Sequence, residues 1–257
     1  MGAFTVWETA RRGGSRNGRA ILLPMRDPDR SDEPRRLPLS KRRAFVQRHT
    51  RLRDVDGVPG VRLHLADAVE PVWHAVEEAL GIDGAPIPFW AFAWAGGLAL
   101  ARYVQEHPDE VAGRTVLDFA TGSGLVAIVA AQAGADHVAA VDVDPFAEAA
   151  VALNARANHV HVAYSTRDLL DEPPPAVDVL LAADTWYEGP LAERVLPWLR
   201  AAVAQGSRVL VGDPGRKYLP PPADAGFVEL AAWPVHTTTT LEDREIVEAR
   251  VFALPPR

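Results

Sequence analysis

Four residues in the middle of the chain have the types and spacing to bind a charged nucleoside. Asp118 lies within the apolar stretch VLDFA, Gly122 and Gly124 follow it, and Asp142 comes 18 residues after the second glycine. Glycines at such a turn allow a tight curve of the backbone and the close approach of a ligand. A carboxylate at the position of Asp142 can accept hydrogen bonds from both hydroxyls of a ribose. The spacing therefore predicts a ligand that carries a ribose.

Two classes of cofactor are compatible with this pattern. The residues GSGLVA, 122–127, match the dinucleotide pattern Gly-x-Gly-x-x-Gly/Ala, which is typical of NAD(P)-dependent or flavin oxidoreductases. Asp118, however, would repel a pyrophosphate, which binds at bare backbone amides. The same carboxylate suits S-adenosylmethionine, which carries a sulfonium and an ammonium. We therefore predict S-adenosylmethionine as the cofactor and S-adenosylhomocysteine as the product, with an oxidoreductase and a non-catalytic nucleoside-binding module as alternatives.

The elements that must position these residues alternate along the chain between strand and helix patterns. Five apolar runs predict strands, namely RTVLDFA, HVAAVDV, VHVAYS, VDVLLAAD and SRVLVGD, and helical patterns separate most of them. Two late segments, FVELAAWPV and IVEARVFAL, predict an antiparallel pair. Asp144 and Pro145 predict the capped start of one helix, and Pro197 predicts a break or kink in another. The pattern indicates an α/β fold, with a mostly parallel seven-stranded sheet and helices on both faces. In such a sheet, ligands bind past the carboxyl ends of the strands.

Composition and charge limit the domain organisation. Residues 1–53 hold 14 Lys and Arg against 5 Asp and Glu, whereas the remainder holds 13 against 29. We predict a poorly ordered basic tail over 1–40 and a single domain over 41–257. That domain would comprise a helical cap over 41–110, with a short helix at 41–50, and a core over 111–257. The acidic main domain argues against a nucleic-acid substrate.

Several site classes and locations are disfavoured by the sequence. The chain has no cysteine, which excludes disulfides and thiolate metal sites, and its eight histidines show no ligand spacing, so no metal is predicted. No apolar run is long enough for a membrane span, and the start of the chain lacks a secretory signal. A cytoplasmic location is expected. The abundance of Arg over Lys, together with that of Ala and Pro, indicates the coding bias of a high-GC bacterial genome.

Four stretches of the sequence resemble the lysine methyltransferases of the electron-transfer flavoprotein β-subunit. They follow the family order within residues 60–257: PFWAFAWAGGLALARYV (88–104), the glycine-turn segment VLDFATGSGLVAIVAAQAGADHVAAVDVDPFA (116–147), LLAADTWYEGPLAERVLPWL (180–199) and VLVGDPGRKYL (209–219). The glycine-turn segment is shared with other class I methyltransferases, including the ribosomal protein L11 enzymes. The resemblance implies the Rossmann-like class I methyltransferase fold. The chain departs from the family at Ala95, where Pro is usual, at Ala183, where Gly is usual, and at Ala120, where many methyltransferases have Gly.

The resemblance also implies the roles of particular residues. Trp94 is expected to line the cofactor pocket, and Asp168 to meet the adenine amino group. Asp213 and Arg216 are expected to position the substrate. The full predicted cofactor-binding set is Trp94, Asp118, Ala120, Gly122, Gly124, Asp142, Val143, Asp168 and Leu169.

The predicted catalytic residues lie at the end of the fourth strand pattern of the core, and they are Asp184, Tyr187 and Glu188. A lysine amine is protonated at neutral pH, with a pKa of about 10.4, and must lose its proton before it attacks a methyl group. Asp184 would orient the ammonium and help to remove that proton, and Tyr187 would shape the channel. The expected substrate is a protein lysine, with the electron-transfer flavoprotein β-subunit as the implied partner. A ribosomal protein L11-like target and a small-molecule amine remain alternatives, and the sequence does not predict an oligomeric state.

Overall fold

A computed structural model of the protein describes residues 37–237 and 245–256. The strands along these residues are β1 (Arg51–Asp54), β2 (Arg62–Leu65), β3 (Thr115–Phe119), β4 (His137–Val141), β5 (Ala163–Ser165), β6 (Val179–Ala183), β7 (Arg208–Asp213), β8 (Val228–His236) and β9 (Ile246–Ala253). The helices are α1 (Leu39–His49), α2 (Val69–Leu80), α3 (Ala95–Glu106), α4 (Leu125–Gln132), α5 (Pro145–Ala157), α6 (Gly189–Ala204) and α7 (Pro222–Ala225). The predicted basic tail falls mainly on residues 1–36, which lie outside the described residues.

The main sheet has seven strands in the spatial order β5-β4-β3-β6-β7-β9-β8. The first five of these are parallel, and β9 is antiparallel to both β7 and β8. The chain enters the sheet at β3, moves outward to β5 and then returns to the other side of β3 with β6. This reversal between β3 and β6 creates a crevice at the carboxyl ends of the strands, where ligands bind in open α/β sheets. The predicted fold class, with its closing antiparallel pair, is confirmed.

Alternate residues of the central strands serve the two faces of the sheet. In β3, Val116 packs in a cluster with residues of α3 and α4, whereas Leu117 and Phe119 pack in a second cluster with residues of α6. Every residue of β3 is buried. Such complete burial explains why the strand reads as an almost continuous apolar run, and it makes Asp118 exceptional as the one carboxylate in the strand.

Helix α6 continues through Pro197 from Gly189 to Ala204, so the predicted break does not occur. Proline removes one backbone hydrogen bond and disfavours a helix interior by about 3 kcal/mol. The helix also buries Val195, Trp198 and Leu199 in the cluster beneath the sheet. Burial of large apolar side chains contributes about 1.5–3 kcal/mol each, which exceeds the cost of the proline.

The N-terminal region contains a β-hairpin in addition to the predicted helices. Strands β1 and β2 pair in antiparallel register, and α2 ends at Gly81 in the left-handed conformation. Helix α1 packs against α5 through Phe45, whose ring centroid lies 4.9 Å from that of Phe146. The region therefore lies against the core beside the carboxyl ends of the strands. In the part of the chain that the structure describes, no helix has the length and apolar character needed to cross a membrane.

Candidate active site

A cavity of about 450 Å³ opens at the carboxyl ends of β3, β4 and β6, beneath the N-terminal region. It brings together twelve of the fourteen residues that the sequence predicted for the site. The predicted residues that line it are Trp94, Asp118, Ala120, Gly122, Asp142, Val143, Asp168, Leu169, Asp184, Tyr187, Glu188 and Arg216. Gly124 and Asp213 do not line it.

The glycine turn connects β3 to α4 with three residues at positive φ. Ala120 has a φ of 55°, Gly122 of 52° and Gly124 of 82°. These angles are strained for residues with a side chain, which explains the two glycines. A Cβ on Gly124 would lie 3.0 Å from Cγ2 of Val151, so this glycine allows the turn to pack closely on α5. Gly124 therefore affects a ligand only indirectly, because it sets the position of the turn.

Asp118 is buried with only 2% of its surface exposed. Its Oδ2 accepts hydrogen bonds from the Thr121 hydroxyl and from the Ala127 backbone N–H, the latter at 3.0 Å. Its Oδ1 has no partner among the described residues. Burial raises the pKa of this carboxyl to about 7, and the two hydrogen bonds oppose part of that rise. One oxygen of Asp118 is thus available to a donor in the cavity.

Asp142 follows β4 and holds the glycine turn. Its Oδ2 accepts the Gly122 N–H at 2.8 Å, and its Oδ1 accepts the Asp144 N–H at 3.0 Å. An ionised carboxylate can accept about four hydrogen bonds, so capacity for further donors remains. Burial raises the pKa of Asp142. Asp144 caps α5 by accepting the Phe146 N–H at 2.8 Å, as the sequence predicted.

These acceptors fit S-adenosylmethionine. The available capacity of Asp142 suits a pair of ribose hydroxyls, and the free oxygen of Asp118 suits an ammonium. The three arginines that line the cavity, Arg167, Arg194 and Arg216, each form an ion pair with a carboxylate of the chain. The glycine turn therefore faces acids rather than unpaired cations, an environment that suits a cationic ligand better than a diphosphate.

Asp168 and Leu169 lie at the β5 side of the cavity. The Asp168 carboxylate accepts the Leu170 N–H at 3.0 Å, and it pairs with Arg194 at 3.1 Å. Leu169 is buried, whereas Val143 is 62% exposed. The acid thus caps a short turn of 3-10 helix and also borders the cavity.

Asp184 directly follows β6 and is held by two separate segments of the chain. Its Oδ1 accepts Nε and Nη2 of Arg216 at 3.0 and 2.6 Å, and its Oδ2 accepts the Gly97 N–H at 2.8 Å. The guanidinium carbon of Arg216 lies 5.5 Å from the ring centroid of Trp94. The carboxylate therefore joins the first turn of α3 to the loop after β7, in a fixed orientation.

Aromatic rings border the cavity beside Asp184. The ring of Phe89 lies 4.8 Å from that of Tyr187 and 5.4 Å from that of Trp94, centroid to centroid. Burial and the charge of Glu188 raise the pKa of Tyr187 to about 12, so the phenol stays protonated at neutral pH. Glu188 itself is exposed. Apolar rings with an acid beside them suit the methylene chain and the ammonium of a lysine.

Asp213 is fully buried beneath the loop that carries Arg216. Its Oδ1 accepts the N–H groups of Gly215 and Arg216, both at 2.7 Å, and its Oδ2 has no partner within residues 37–237 and 245–256. Burial and the charge of Asp184 raise its pKa to about 7. Its geometry therefore supports the positioning of Arg216 rather than direct contact with a substrate.

Asn154 is a site residue that sequence reasoning missed. It is completely buried on α5, where Nδ2 donates to the Ser123 carbonyl at 2.8 Å and Oδ1 accepts the His64 N–H at 2.7 Å. The side chain thus joins the glycine turn to strand β2. The available signal was a polar residue in an otherwise apolar helical pattern, but its two partners lie far away in the sequence.

Several known proteins similar to the chain are named as methyltransferases. A family model described as ribosomal protein L11 methyltransferase matches residues 99–183. The electron transfer flavoprotein β-subunit lysine methyltransferase of Xenopus laevis is 30% identical over 227 residues, which cover 87% of this chain and 91% of that protein. The protein of the same name from Rattus norvegicus is 40% identical over 131 residues, about half of either chain. The crystal structure of a ribosomal protein L11 methylase from Lactobacillus delbrueckii subsp. bulgaricus aligns with a TM-score of 0.45 and 22% identity, over 61% of this chain and 77% of that one.

Proposed function

Since the chain belongs to the family of the electron transfer flavoprotein β-subunit lysine methyltransferases, we propose that it methylates a lysine of a protein substrate, namely that β-subunit. The methyl donor is S-adenosylmethionine. The observation that carries the proposal is one cavity in which Asp118, with a free oxygen, and Asp142, with spare acceptor capacity, lie near the Asp184 carboxylate and a border of aromatic rings. The family assignment removes the oxidoreductase alternative.

The chemistry requires alignment and a neutral amine more than acid or base strength. When bound, S-adenosylmethionine supplies a methyl group on a positively charged sulfur, which is a good leaving group. Asp142 would hold the ribose and Asp118 the ammonium of the amino-acid end. Phe89, Trp94 and Tyr187 would exclude water from the approach of the lysine. Alignment of two reactants in this way removes much of the barrier of a bimolecular reaction.

Asp184 is the residue proposed to receive the substrate ammonium. Three hydrogen bonds from Arg216 and Gly97 occupy its oxygens. One more acceptor position is consistent with a carboxylate. The lysine proton would pass to Asp184 or to water before the amine attacks. The protonated Tyr187 phenol would not act as the base at neutral pH, because its pKa of about 12 is too high.

The test is methyl transfer with defined acceptors. Purified protein with methyl-labelled S-adenosylmethionine and electron transfer flavoprotein is expected to label a lysine of the β-subunit, identified by mass spectrometry of the labelled peptide. Ribosomal protein L11 serves as the second acceptor, because the family model named for it matches the cofactor half of the chain. Label in L11 and none in the β-subunit would overturn the proposed substrate while supporting the methyltransferase activity.

The affinity for S-adenosylhomocysteine is expected to rise with pH between about 6 and 8. The Asp118 carboxyl has a pKa of about 7 because it is buried. A ligand ammonium favours the ionised form, so binding releases a proton below this pKa and tightens as the pH passes through it. Asp118→Asn is expected to weaken binding about tenfold or more at pH 8. The substitution should also remove most of the increase in affinity with pH.

Calorimetry at several pH values, in two buffers of different ionisation enthalpy, measures both the affinity and the proton release. Asp144 and Asp213 also have pKa values raised to about 7, and both remain in the Asp118→Asn variant. The comparison therefore isolates Asp118. An unchanged pH dependence in the variant would contradict its assignment to the ammonium.

A further inference from the structure

Tyr164 of β5 contacts the loop that carries Asp142, the carboxylate proposed to bind the ribose. Its backbone pairs with β4, where Tyr164 is in register with Ala140. The phenol oxygen lies 3.2 Å from the Asp142 carbonyl and 3.1 Å from the Asp144 carbonyl. The single O–H is thus placed to donate to either of two backbone carbonyls in the loop between β4 and α5. Tyr164 does not line the cavity, so any effect on a ligand acts through this loop.

The loop between β4 and α5 concentrates negative charge. Asp142 and Asp144 lie within it, and Glu148 follows in the first turn of α5. Burial, together with the charge of Asp142, raises the pKa of Asp144 to about 7. Like charges held together destabilise the conformation that contains them, so the loop needs contacts from outside to keep Asp142 in place.

A second contact reaches the first turn of α5, directly after this loop, from α1. The guanidinium of Arg42 donates to the Pro145 carbonyl, and it pairs with Glu148 at 2.8 Å. Arg42 is almost buried, with 8% of its surface exposed. The phenol on β5 therefore holds the loop, and the guanidinium on α1 holds the start of the helix that follows it.

We propose that Tyr164 is a positioning residue for cofactor binding, which fixes the loop so that the Asp142 carboxylate meets both ribose hydroxyls. The inference rests on the proposed function, because it takes the cofactor to be an adenosine compound. A carboxylate that is already oriented binds a pair of hydroxyls without the cost of ordering its loop. Arg42 anchors the start of α5 and supports the same orientation from that side.

The test compares two tyrosines that each lose one hydroxyl. In Tyr164→Phe the loop loses its donor. In the control, Tyr103→Phe, a buried phenol loses its hydrogen bond of 3.1 Å to Glu110, which also pairs with Arg208 at the start of β7 and so lies at the amino ends of the strands. The Tyr164→Phe variant is expected to bind S-adenosylhomocysteine about three- to tenfold more weakly, and the control to bind as the unaltered protein does. Melting temperatures of both variants report the purely structural cost.

A ligand without the ribose hydroxyls gives the sharper measurement. For the 2′,3′-dideoxy analogue of S-adenosylhomocysteine, Tyr164→Phe is expected to have no effect, because the hydroxyl pair that Asp142 meets is missing. In turnover, the KM for S-adenosylmethionine should rise by the same factor at unchanged kcat. An equal loss of affinity for both ligands, or equal losses in both tyrosine variants, would overturn the inference alone. Failure of the unaltered protein to bind S-adenosylhomocysteine would overturn the proposed function, and this inference with it.

Discussion

Asp184→Asn is expected to lower kcat about 100-fold or more while changing the affinity for S-adenosylhomocysteine less than about threefold. The size follows from the usual effect of removing a group that acts on a proton of the reacting atom. Asparagine keeps the shape and one oxygen, so the Gly97 N–H can retain an acceptor. It loses the negative charge that would orient the lysine ammonium, and it leaves the Arg216 guanidinium without this carboxylate.

Because Asp184 and the cofactor-binding acids lie within or directly after different strands, the effects of Asp184→Asn on turnover and on cofactor binding can be tested separately. Asp184 directly follows β6, whereas of the acids assigned to the cofactor Asp118 lies within β3 and Asp142 directly follows β4. Asp168→Asn is the matched control, because Asp168 also borders the cavity and also pairs with an arginine, Arg194. Its carboxylate is on the cofactor side and more exposed, so we expect kcat to be preserved.

Steady-state rates at saturating S-adenosylmethionine, together with calorimetry of S-adenosylhomocysteine, measure the two effects separately. If Asp184→Asn weakens binding of the product by the same factor as it lowers kcat, the residue supports the cofactor and the proposed role in lysine deprotonation is wrong. A circular dichroism spectrum like that of the unaltered protein shows that the variant is folded.

The order of the strands and helices could be predicted because local sequence patterns determine it. Apolar runs of five or six residues, the glycine turn and the Asp144-Pro145 start of α5 each act over a few residues, and the structure contains all of them. The meeting of Asp118, Asp142 and Asp184 at one edge followed from parallel strands alone, since their carboxyl ends lie on the same side of the sheet. Local sequence patterns were therefore sufficient to predict the strands and the turn that position the site residues.

The contacts that orient the site could not be predicted in the same way. Asp184 adopts a φ of 53° although it is not glycine, and no residue near it in sequence signals that conformation. Its partner Arg216 is 32 residues away in the sequence. Asn154 is 90 residues away from its partner in strand β2, His64. These contacts arise from tertiary packing, which fixes side chains whose sequence neighbours carry no periodic signal.

Gly96→Ala is expected to destabilise the fold by about 3 kcal/mol and to disturb the site at the same time. Gly96 lies in the first turn of α3, where the helix meets β7 at Gly212 and the side chain of Asp184. A Cβ at this position would overlap the Gly212 carbonyl oxygen and lie 2.7 Å from Oδ2 of Asp184. Because the first obstacle is backbone in the middle of the sheet, the helix would have to move rather than a side chain.

Gly97→Ala provides a control one residue along the same helix. A Cβ there would lie 3.9 Å from Asp184 Oδ2, an ordinary van der Waals distance, and the Gly97 N–H that binds Asp184 is retained. Alanine is favoured over glycine in a helix by up to about 1 kcal/mol, so this variant should be as stable as the unaltered protein or more so.

Urea unfolding of the two variants measures the difference, and the kcat of folded Gly96→Ala tests the link to the site. A shift of α3 away from β7 would carry the Gly97 N–H away from Asp184, so turnover should fall even under conditions where the variant is fully folded. Equal stabilities for the two alanine variants would show that α3 can move from β7 without cost. In that case the close contact of Gly96 with Gly212 would not hold Asp184 in place, and Arg216 alone would have to orient the carboxylate.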